Sequence, residues 1–185
     1  METYIALLRG INVGGKNKIK MADLKAAMEA LGLAGVQTYI QSGNVVFRSA
    51  EKEASLRSRI EQKLAADFAY PARVNLRTAN EIESLIKSCP FTGEEILKTQ
   101  SMTEAESFYV CFLSEVPSSD KIERIKPYIN DADQCKIAGR DVYLLFSHSI
   151  RDSKLAAKLQ LLDEAATTRN FNTVQKLYEM TKAIQ

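Results

Sequence analysis

The chain has 185 residues, 45% of them hydrophobic, and its 25 basic and 23 acidic side chains leave a formal charge of +2. This length fits one large domain or two small ones, and the charge by itself implies neither a nucleic-acid nor a membrane partner. Cys89, Cys111 and Cys135 are few and widely spaced, which favours a reducing compartment over a disulfide framework. The apolar run after Met1 ends at Arg9, too early for a signal peptide or a membrane span. We therefore expect a cytoplasmic protein without a membrane segment.

The first 78 residues follow the order β-α-β-β-α-β. Apolar residues recur at helical spacing from Met21 to Leu31 and from Leu56 to Phe68, and β-rich runs lie between these segments. The predicted elements are, in order, a strand at 3–9, a helix from Met21 to Leu31, strands at 36–41 and 44–48, a helix from Leu56 to Phe68, and a strand at 72–78.

The same order begins again in the second half of the chain. A short helix at 80–88 and a polar connector at about 92–106 precede a strand at 108–113, a helix at 118–125 and a hairpin of strands 134–138 and 142–146. A helix at 153–162 and another at 173–183 follow, the last in place of a closing strand.

These patterns predict an α+β protein with duplicated ferredoxin-like halves. Each half is an antiparallel sheet covered by helices. The first half spans residues 1–78, residues 79–106 form a helix and connector, and the second half, degenerate as β-α-β-β-α-α, spans 107–185.

Three polar clusters indicate a binding site. The first is the glycine-rich segment after strand one, with Arg9, Asn12 and Lys16, and the second is Gln41-Ser42-Gly43-Asn44 between strands two and three. Strands one and three are expected to be antiparallel neighbours, so the end of one meets the beginning of the other. A hairpin turn alone also uses Ser, Gly and Asn, so Ser42 and Asn44 have a structural interpretation as well.

The third cluster, Thr167-Thr168-Arg169-Asn170, precedes the last helix. Asn172 and Gln175 have the spacing of a capping box, which leaves Arg169 and Asn170 near the positive end of that helix, where an anion is favoured.

Gly10 to Lys16 has the spacing of a phosphate-binding loop, but Asn17 stands where Ser or Thr holds magnesium. The apolar helix pattern also starts only near Met21. We expect a looser anion-contacting loop, with a glycine-rich turn and a solvated lysine as the alternative.

Other chemistry has little support in the sequence. His148 is the only histidine and is predicted to lie in a surface turn, and neither a catalytic triad nor zinc-ligand spacing accompanies it. Catalytic residues and cofactors are therefore unassigned, no metal site is predicted, and Cys111 is expected in the core.

Two further functions stay open. Single-stranded nucleic acid could stack on Tyr4, Tyr39 and Phe47 if these lie on an exposed sheet face. A protein-interaction surface could be formed by leucines of the last two helices, although core packing explains those residues equally well. The candidate leucines and their neighbour are Leu155, Leu159, Leu162, Leu177 and Tyr178.

The chain resembles the bacterial domain-of-unknown-function family 1697 from end to end. The resemblance rests on Tyr4-Ile5-Ala6-Leu7-Leu8-Arg9-Gly10-Ile11-Asn12-Val13-Gly14-Gly15, Lys20-Met21-Ala22-Asp23-Leu24, Thr38-Tyr39-Ile40-Gln41-Ser42-Gly43-Asn44-Val45 and Thr167-Thr168-Arg169-Asn170-Phe171-Asn172-Thr173-Val174. Phe171 stands where the family commonly has tryptophan, and Cys89 where asparagine is usual. The resemblance implies an α+β, duplicated ferredoxin-like fold in a bacterial cytoplasm, but it implies no activity, cofactor or site residue.

The sequence therefore predicts a domain that binds a small anionic or phosphate-bearing ligand, such as a nucleotide. The predicted ligand-binding residues are Arg9, Asn12, Lys16, Gln41, Ser42, Asn44, Arg169 and Asn170.

Overall fold

The protein is described here by a computed structural model of residues 1–15 and 17–184. It is an α+β protein with two four-stranded antiparallel sheets in two compact units. The first unit comprises Met1–Ser84 and Gln175–Gln185, and the second comprises Leu85–Val174. The predicted ranges placed all of 107–185 in the second half, whereas here the residues from Gln175 onward group with the first unit.

The first unit contains the predicted β-α-β-β-α-β order. Its elements are β1 (Glu2–Leu8), α1 (Met21–Ala30), β2 (Ala34–Tyr39), β3 (Asn44–Ser49), α2 (Glu53–Phe68), β4 (Val74–Thr78) and most of α3 (Ala79–Lys87). The strand order is β2-β3-β1-β4. This arrangement confirms the expected antiparallel pairing of the first and third strands, in which Leu7 lies opposite Asn44.

The helices α1 and α2 bury one face of this sheet. Alternate residues of β1, namely Tyr4, Ala6 and Leu8, belong to one apolar cluster with Leu24 of α1 and Ile60 of α2. Alternation of side chains across a strand explains why only every second residue of β1 is in this cluster. The predicted helical stripes therefore do face the core.

The opposite face of the same sheet is also buried. Ile5, Leu7 and Val46 are fully buried. The polar Asn75 of β4 is also fully buried, and Arg77 of the same strand is 1% exposed. Strands that are buried on both faces are apolar along their whole length, which accounts for the unbroken run from Tyr4 to Leu8.

The second unit repeats this order of strands. Its elements are α4 (Gly93–Gln100), β5 (Phe108–Phe112), α5 (Ser119–Ile125), β6 (Asp133–Ala138), β7 (Asp141–Phe146), β8 (Thr167–Asn170) and the start of α6 (Phe171–Ala183). The strand order is β6-β7-β5-β8, and β6 and β7 form the predicted hairpin.

One backbone hydrogen bond of the first sheet has a counterpart in the second. The backbone N–H of Leu8 donates to the Gly43 carbonyl at 2.8 Å, and that of Leu113 donates to the Arg140 carbonyl at 2.9 Å. In the first unit the donor is the last residue of the first strand, and in the second unit it is the residue after that strand. In both units the acceptor is the residue directly before the third strand. The first strand of each unit also pairs with a last strand, β4 or β8.

Three predictions for the connector and the second half were wrong. The polar connector contains α4, which begins with a capping box in which Glu95 N–H donates to Thr92 Oγ1 at 3.1 Å and Thr92 N–H donates to the Glu95 carboxylate at 2.6 Å. The expected α-helix at 153–162 is instead 3-10 helix over Ala156–Leu161. Finally, β8 closes the sheet, where the sequence predicted no closing strand.

Among the described residues, no helix has both the length and the apolar character needed to cross a lipid bilayer.

Two glycines with the same backbone conformation test how tightly the turn between β2 and β3 is packed. Gly43 has φ +77° and Gly32, after α1, has φ +78°. A Cβ on Gly43 would lie 2.6 Å from Ile11 Cδ1 and 2.9 Å from Leu8 Cβ, whereas a Cβ on Gly32 has no described neighbour within 4 Å. We predict that Gly32→Ala costs about 1–2 kcal/mol of unfolding free energy through φ strain alone. Gly43→Ala should cost about 2 kcal/mol more, because it adds overpacking.

Urea denaturation of both variants checks this difference. Equal losses in the two variants would show that the turn accommodates a methyl group and that packing does not require glycine at residue 43.

Candidate functional site

The side chain of Asn12 joins three segments at one end of the first sheet. Its amide nitrogen donates to the Ile19 carbonyl at 3.0 Å and to the Gln41 carbonyl at 2.8 Å. Its amide oxygen accepts from the Ile19 backbone N–H at 2.8 Å. Asn12 therefore uses both amide hydrogens and its oxygen to hold the loop after β1 against the residues before α1 and against the β2–β3 turn.

Asn12 adopts a left-handed backbone conformation, with φ +54°. Asparagine tolerates this region better than most residues other than glycine. Its own N–H donates to the Asn17 carbonyl at 3.1 Å, and the Asn17 side chain donates to the Gly10 carbonyl at 3.0 Å. The loop is thus closed on itself by backbone and side-chain bonds.

Ile19, which Asn12 holds by a two-point bond, lies between two exposed lysines. Ile19 is 4% exposed, whereas Lys18 and Lys20 are exposed. Burial of Ile19 therefore fixes the segment while the lysines on either side of it stay exposed to solvent.

Both lysines line a cavity of about 380 Å³ beside α1. We call it the lysine cavity, and its lining residues are Asn12, Lys18, Ile19, Lys20, Asp23, Gln41 and Phe68. Two cations, one carboxylate and two amide side chains are thus combined with an apolar wall. The volume is within the range of small-ligand sites.

The predicted meeting of the first two polar clusters is observed, but most of their amides have structural roles. Asn44 is fully buried, and its side chain donates to the Tyr39 carbonyl at 3.1 Å and to Ser42 Oγ at 2.9 Å. These bonds shape the four-residue turn at 40–43, which is longer than the predicted two-residue hairpin at Ser42-Gly43. Of the four residues Gln41 to Asn44, only Gln41 lines the lysine cavity.

Arg9 lies at the same end of the sheet, where its backbone is fixed on both sides. Its N–H donates to the Arg73 carbonyl at 3.0 Å, and its carbonyl accepts from the Tyr70 hydroxyl. Burial raises the pKa of Tyr70, against an opposing effect of the Arg9 charge, so the phenol stays protonated and can donate. Arg9 is half-buried and is outside the lining of the lysine cavity.

The glycine-rich segment does not lead into a helix as a phosphate-binding loop does. Helix α1 begins at Met21, five residues after Lys16, as the apolar pattern predicted. Lys16 itself lies outside the described residues, so its predicted role stays a prediction.

The third polar cluster lies in the second unit. Arg169 is in β8, half-buried, and its guanidinium donates to the Thr168 carbonyl at 2.9 Å. Burial lowers its pKa to about 10, so it still carries its charge at neutral pH. The convergence of Arg169 and Asn170 with Arg9 stays a prediction.

The predicted capping arrangement of the last helix was wrong. Asn170, not Asn172, caps it, because Asn170 Oδ1 accepts from the Thr173 N–H at 2.8 Å. Asn172 instead donates to the Glu106 carboxylate at 3.2 Å. The polar oxygen of Asn170 is therefore committed to the helix end.

Of the three aromatic residues suggested for nucleic-acid stacking, two are buried and the third, Tyr39, is half-buried. Tyr4 is 4% exposed and Phe47 is fully buried, and their rings stack on each other with centroids 5.9 Å apart. The burial of Ile5 and Val46 on the other face removes that face as well.

The leucines suggested for an interaction surface are also internal. Leu155, Leu159 and Leu162 belong to the apolar cluster of the second unit, with Cys111 as predicted. Leu177 is 2% exposed. Core packing explains these residues.

His148 does not form a nucleophilic arrangement. Its Nε2 lies 3.2 Å from Asp133 Oδ1, and its Nδ1 lies 3.0 Å from the Ser149 carbonyl. Both ring nitrogens thus face acceptors instead of a serine or cysteine. Across the described residues, no group of three or more His, Cys, Asp or Glu side chains is placed to hold a metal ion.

A larger cavity of about 610 Å³ lies at the opposite end of the first sheet. We call it the acidic cavity; its lining includes Glu2, Glu51 and Lys52 beside Tyr4. Burial raises the pKa of Tyr4, and the charges of Glu2, Glu53 and Glu81 raise it further. Lys52 and Met1 line this cavity beside its two glutamates, and Glu51 is paired with Arg59.

Sequence analysis missed Lys18, Lys20, Asp23 and Phe68 as site residues. The pattern Lys18-Ile19-Lys20, polar on both sides of one apolar residue, could have indicated a pair of exposed cations. The pattern does not show that Asn12 anchors Ile19, because these bonds form only in the tertiary fold.

We predict that removing the Asn12 side chain weakens the fold more than removing that of Asn17. Asn12→Gly and Asn17→Gly both preserve a positive φ, so they isolate the side-chain bonds. Asn12→Gly removes three hydrogen bonds and should lower the unfolding free energy by about 2–4 kcal/mol. Asn17→Gly removes one side-chain bond and should lower it by about 1 kcal/mol. Thermal and urea denaturation measure both, and a similar small loss in each would show that Asn12 is no anchor.

Comparisons with known proteins support a fold but no activity. The family model for "Protein of unknown function (DUF1697)" matches residues 1–143, so the motif at 167–174 lies beyond the match. The solved structure of the conserved bacterial protein SP0830 from Streptococcus pneumoniae is similar at 26% identity and a TM-score of 0.73, over 97% of this chain and 98% of that chain. A search of curated proteins gives no match. The chain therefore belongs to the DUF1697 family of proteins of unknown function.

Proposed function

We propose that the lysine cavity binds a small anionic ligand that carries a phosphate group. The observation that carries this proposal is the exposed pair Lys18 and Lys20, on either side of Ile19, which is held by the two-point bond from Asn12. These bonds fix the backbone between the two lysines, so less of the loop has to be ordered when an anion binds.

The charges of the cavity suit a phosphate. Within the described part of the chain, neither Lys18 nor Lys20 is in an ion pair, so both are available. Ammonium groups form short, charge-assisted hydrogen bonds with phosphate oxygens. The first turn of α1 starts directly after Lys20, and the positive end of a helix favours an anion further.

The proposal is for binding and leaves catalysis unassigned. One carboxylate, Asp23, lines the cavity, and no serine, threonine, cysteine or histidine accompanies it among the described lining residues. A reaction would need groups in named roles, which this lining does not supply.

Two further features, the duplication of the fold and the cellular compartment, belong to the same proposal. We infer that the two units are duplicated ferredoxin-like halves, supported by their matching strand orders and one equivalent backbone hydrogen bond. A cytoplasmic setting is supported by three cysteines without disulfides. Nucleic-acid and protein-interaction functions have no observation in their favour, because most of their candidate side chains are buried and the other two, Tyr39 and Tyr178, are half-buried.

We predict that Lys18→Ala with Lys20→Ala weakens binding of phosphate-bearing ligands at least about tenfold. Both residues are exposed, so the melting temperature of the unliganded protein should hardly change. Isothermal titration calorimetry with inorganic phosphate, AMP and glucose 6-phosphate measures the affinity, and thermal shift at saturating ligand gives an independent check.

The matched control is Lys25→Ala with Lys63→Ala. It removes the same charge from the same unit, at residues that pair with Glu29 at 3.8 Å and Asp67 at 3.1 Å and are outside the cavity lining. Equal weakening by both double variants would reduce the effect to net charge and contradict the proposed site. No binding of any of the three ligands by the native protein would reject the function itself.

A further inference from the structure

The lysine cavity contains one feature that a simple anion site lacks, the carboxylate of Asp23. Asp23 is the third residue of α1, is exposed, and lines the cavity beside Lys18 and Lys20. Within the described residues it is in no ion pair with either lysine. The carboxylate and the two ammonium groups thus remain separately available to a ligand.

A carboxylate at this position discriminates between anions. It repels a bound phosphate through space, and it can only accept hydrogen bonds when ionised. Its presence therefore favours a ligand that has donors beside its phosphate and disfavours one without them. Hydroxyl groups on the carbon skeleton of a phosphomonoester are such donors.

The rest of the lining complements the same kind of molecule. The Gln41 side chain offers both a donor and an acceptor, and Ile19 and Phe68 provide an apolar wall. Sugars have hydroxyl edges and C–H faces, so a ring lying on this wall can place its hydroxyls toward Asp23 and Gln41.

We infer that the ligand is a polyhydroxylated phosphomonoester, of the sugar-phosphate class, and that Asp23 is the residue that selects it. This inference rests on the proposed function, since Lys18 and Lys20 must bind the phosphate. Lys18 and Lys20 thereby bind the phosphate, and Asp23 accepts hydrogen bonds from the hydroxyl groups.

An acidic residue in the first turn also stabilises a helix, and this structural role predicts no ligand selectivity. Three probes separate the two roles by calorimetry. Methyl phosphate has the phosphate without hydroxyls, glucose 6-phosphate has both, and AMP presents hydroxyls on a nucleotide. We expect the native protein to bind glucose 6-phosphate about tenfold more tightly than methyl phosphate, the gain expected for hydrogen bonding to a charged group.

Asp23→Asn should change the two affinities in opposite directions. Binding of glucose 6-phosphate should weaken about tenfold, because a charged acceptor is lost. Binding of methyl phosphate should strengthen about threefold, because a repulsive charge is removed. Asp23→Ser serves as a second uncharged variant that should change the two affinities in the same directions, and melting curves confirm that both variants fold.

The control is Glu29→Gln on the same helix, which removes the same charge from a residue that pairs with Lys25 outside the cavity. It should leave the ratio of the two affinities unchanged. Tighter binding of both probes by Asp23→Asn would overturn the inference, because Asp23 would then act only as a repulsive charge.

Two further outcomes keep the inference and the proposed function distinguishable. Binding of methyl phosphate as tightly as glucose 6-phosphate by the native protein contradicts hydroxyl selection while leaving the phosphate site intact. Preference for AMP with the same loss in Asp23→Asn supports hydroxyl selection and identifies a nucleotide as the source of the sugar. Failure of the native protein to bind any probe rejects the phosphate site, and the inference with it.

Discussion

The side-chain amide of Asn12 is the interaction on which the candidate site depends. It bonds both the N–H and the carbonyl of Ile19, and its second amide hydrogen bonds the Gln41 carbonyl. These bonds add to the burial of Ile19 in the apolar cluster of the first unit in fixing the segment before α1. Their loss would leave the backbone between Lys18 and Lys20 less ordered, and a ligand would have to overcome the cost of ordering it.

Central packing of the first sheet places Asn12 where it can make these bonds. The apolar run of β1 fixes the strand between β3 and β4, so the loop after it leaves the sheet beside the β2–β3 turn. The two segments can approach because residue 43 is glycine, since a side chain there would collide with Ile11 and Leu8. The site is thus a consequence of the strand order, and its chemistry comes from a few side chains added to the loops.

The order of elements in the first unit could be predicted because its patterns are strong and local. The run from Tyr4 to Leu8 and the stripes of α1 and α2 each identify their own structure. By contrast, β8 has the polar sequence Thr-Thr-Arg-Asn, and it becomes a strand only because β5 offers a partner. The start of α4 carried a local pattern, Thr92 with Glu95, that the polar composition around it concealed.

The candidate site was predictable in place but less so in its members. Antiparallel pairing was sufficient to bring Asn12 and Gln41 to one end of the sheet. It could not show that Asn12 and Asn44 use their amides to hold the backbone. An asparagine looks the same in the sequence whether its side chain binds a ligand or a neighbouring loop. Asp23 was not among the predicted site residues, and only the fold shows that it lines a cavity with two lysines.

The most direct measurement of the central claim is a titration of ¹⁵N-labelled protein with glucose 6-phosphate, followed by amide chemical shifts. We expect saturable shifts at residues 18–23 and at Gln41, around the anchor formed by Asn12. Shifts confined to residues 1–4, 49–52 and 79–80, which line the acidic cavity, would contradict it.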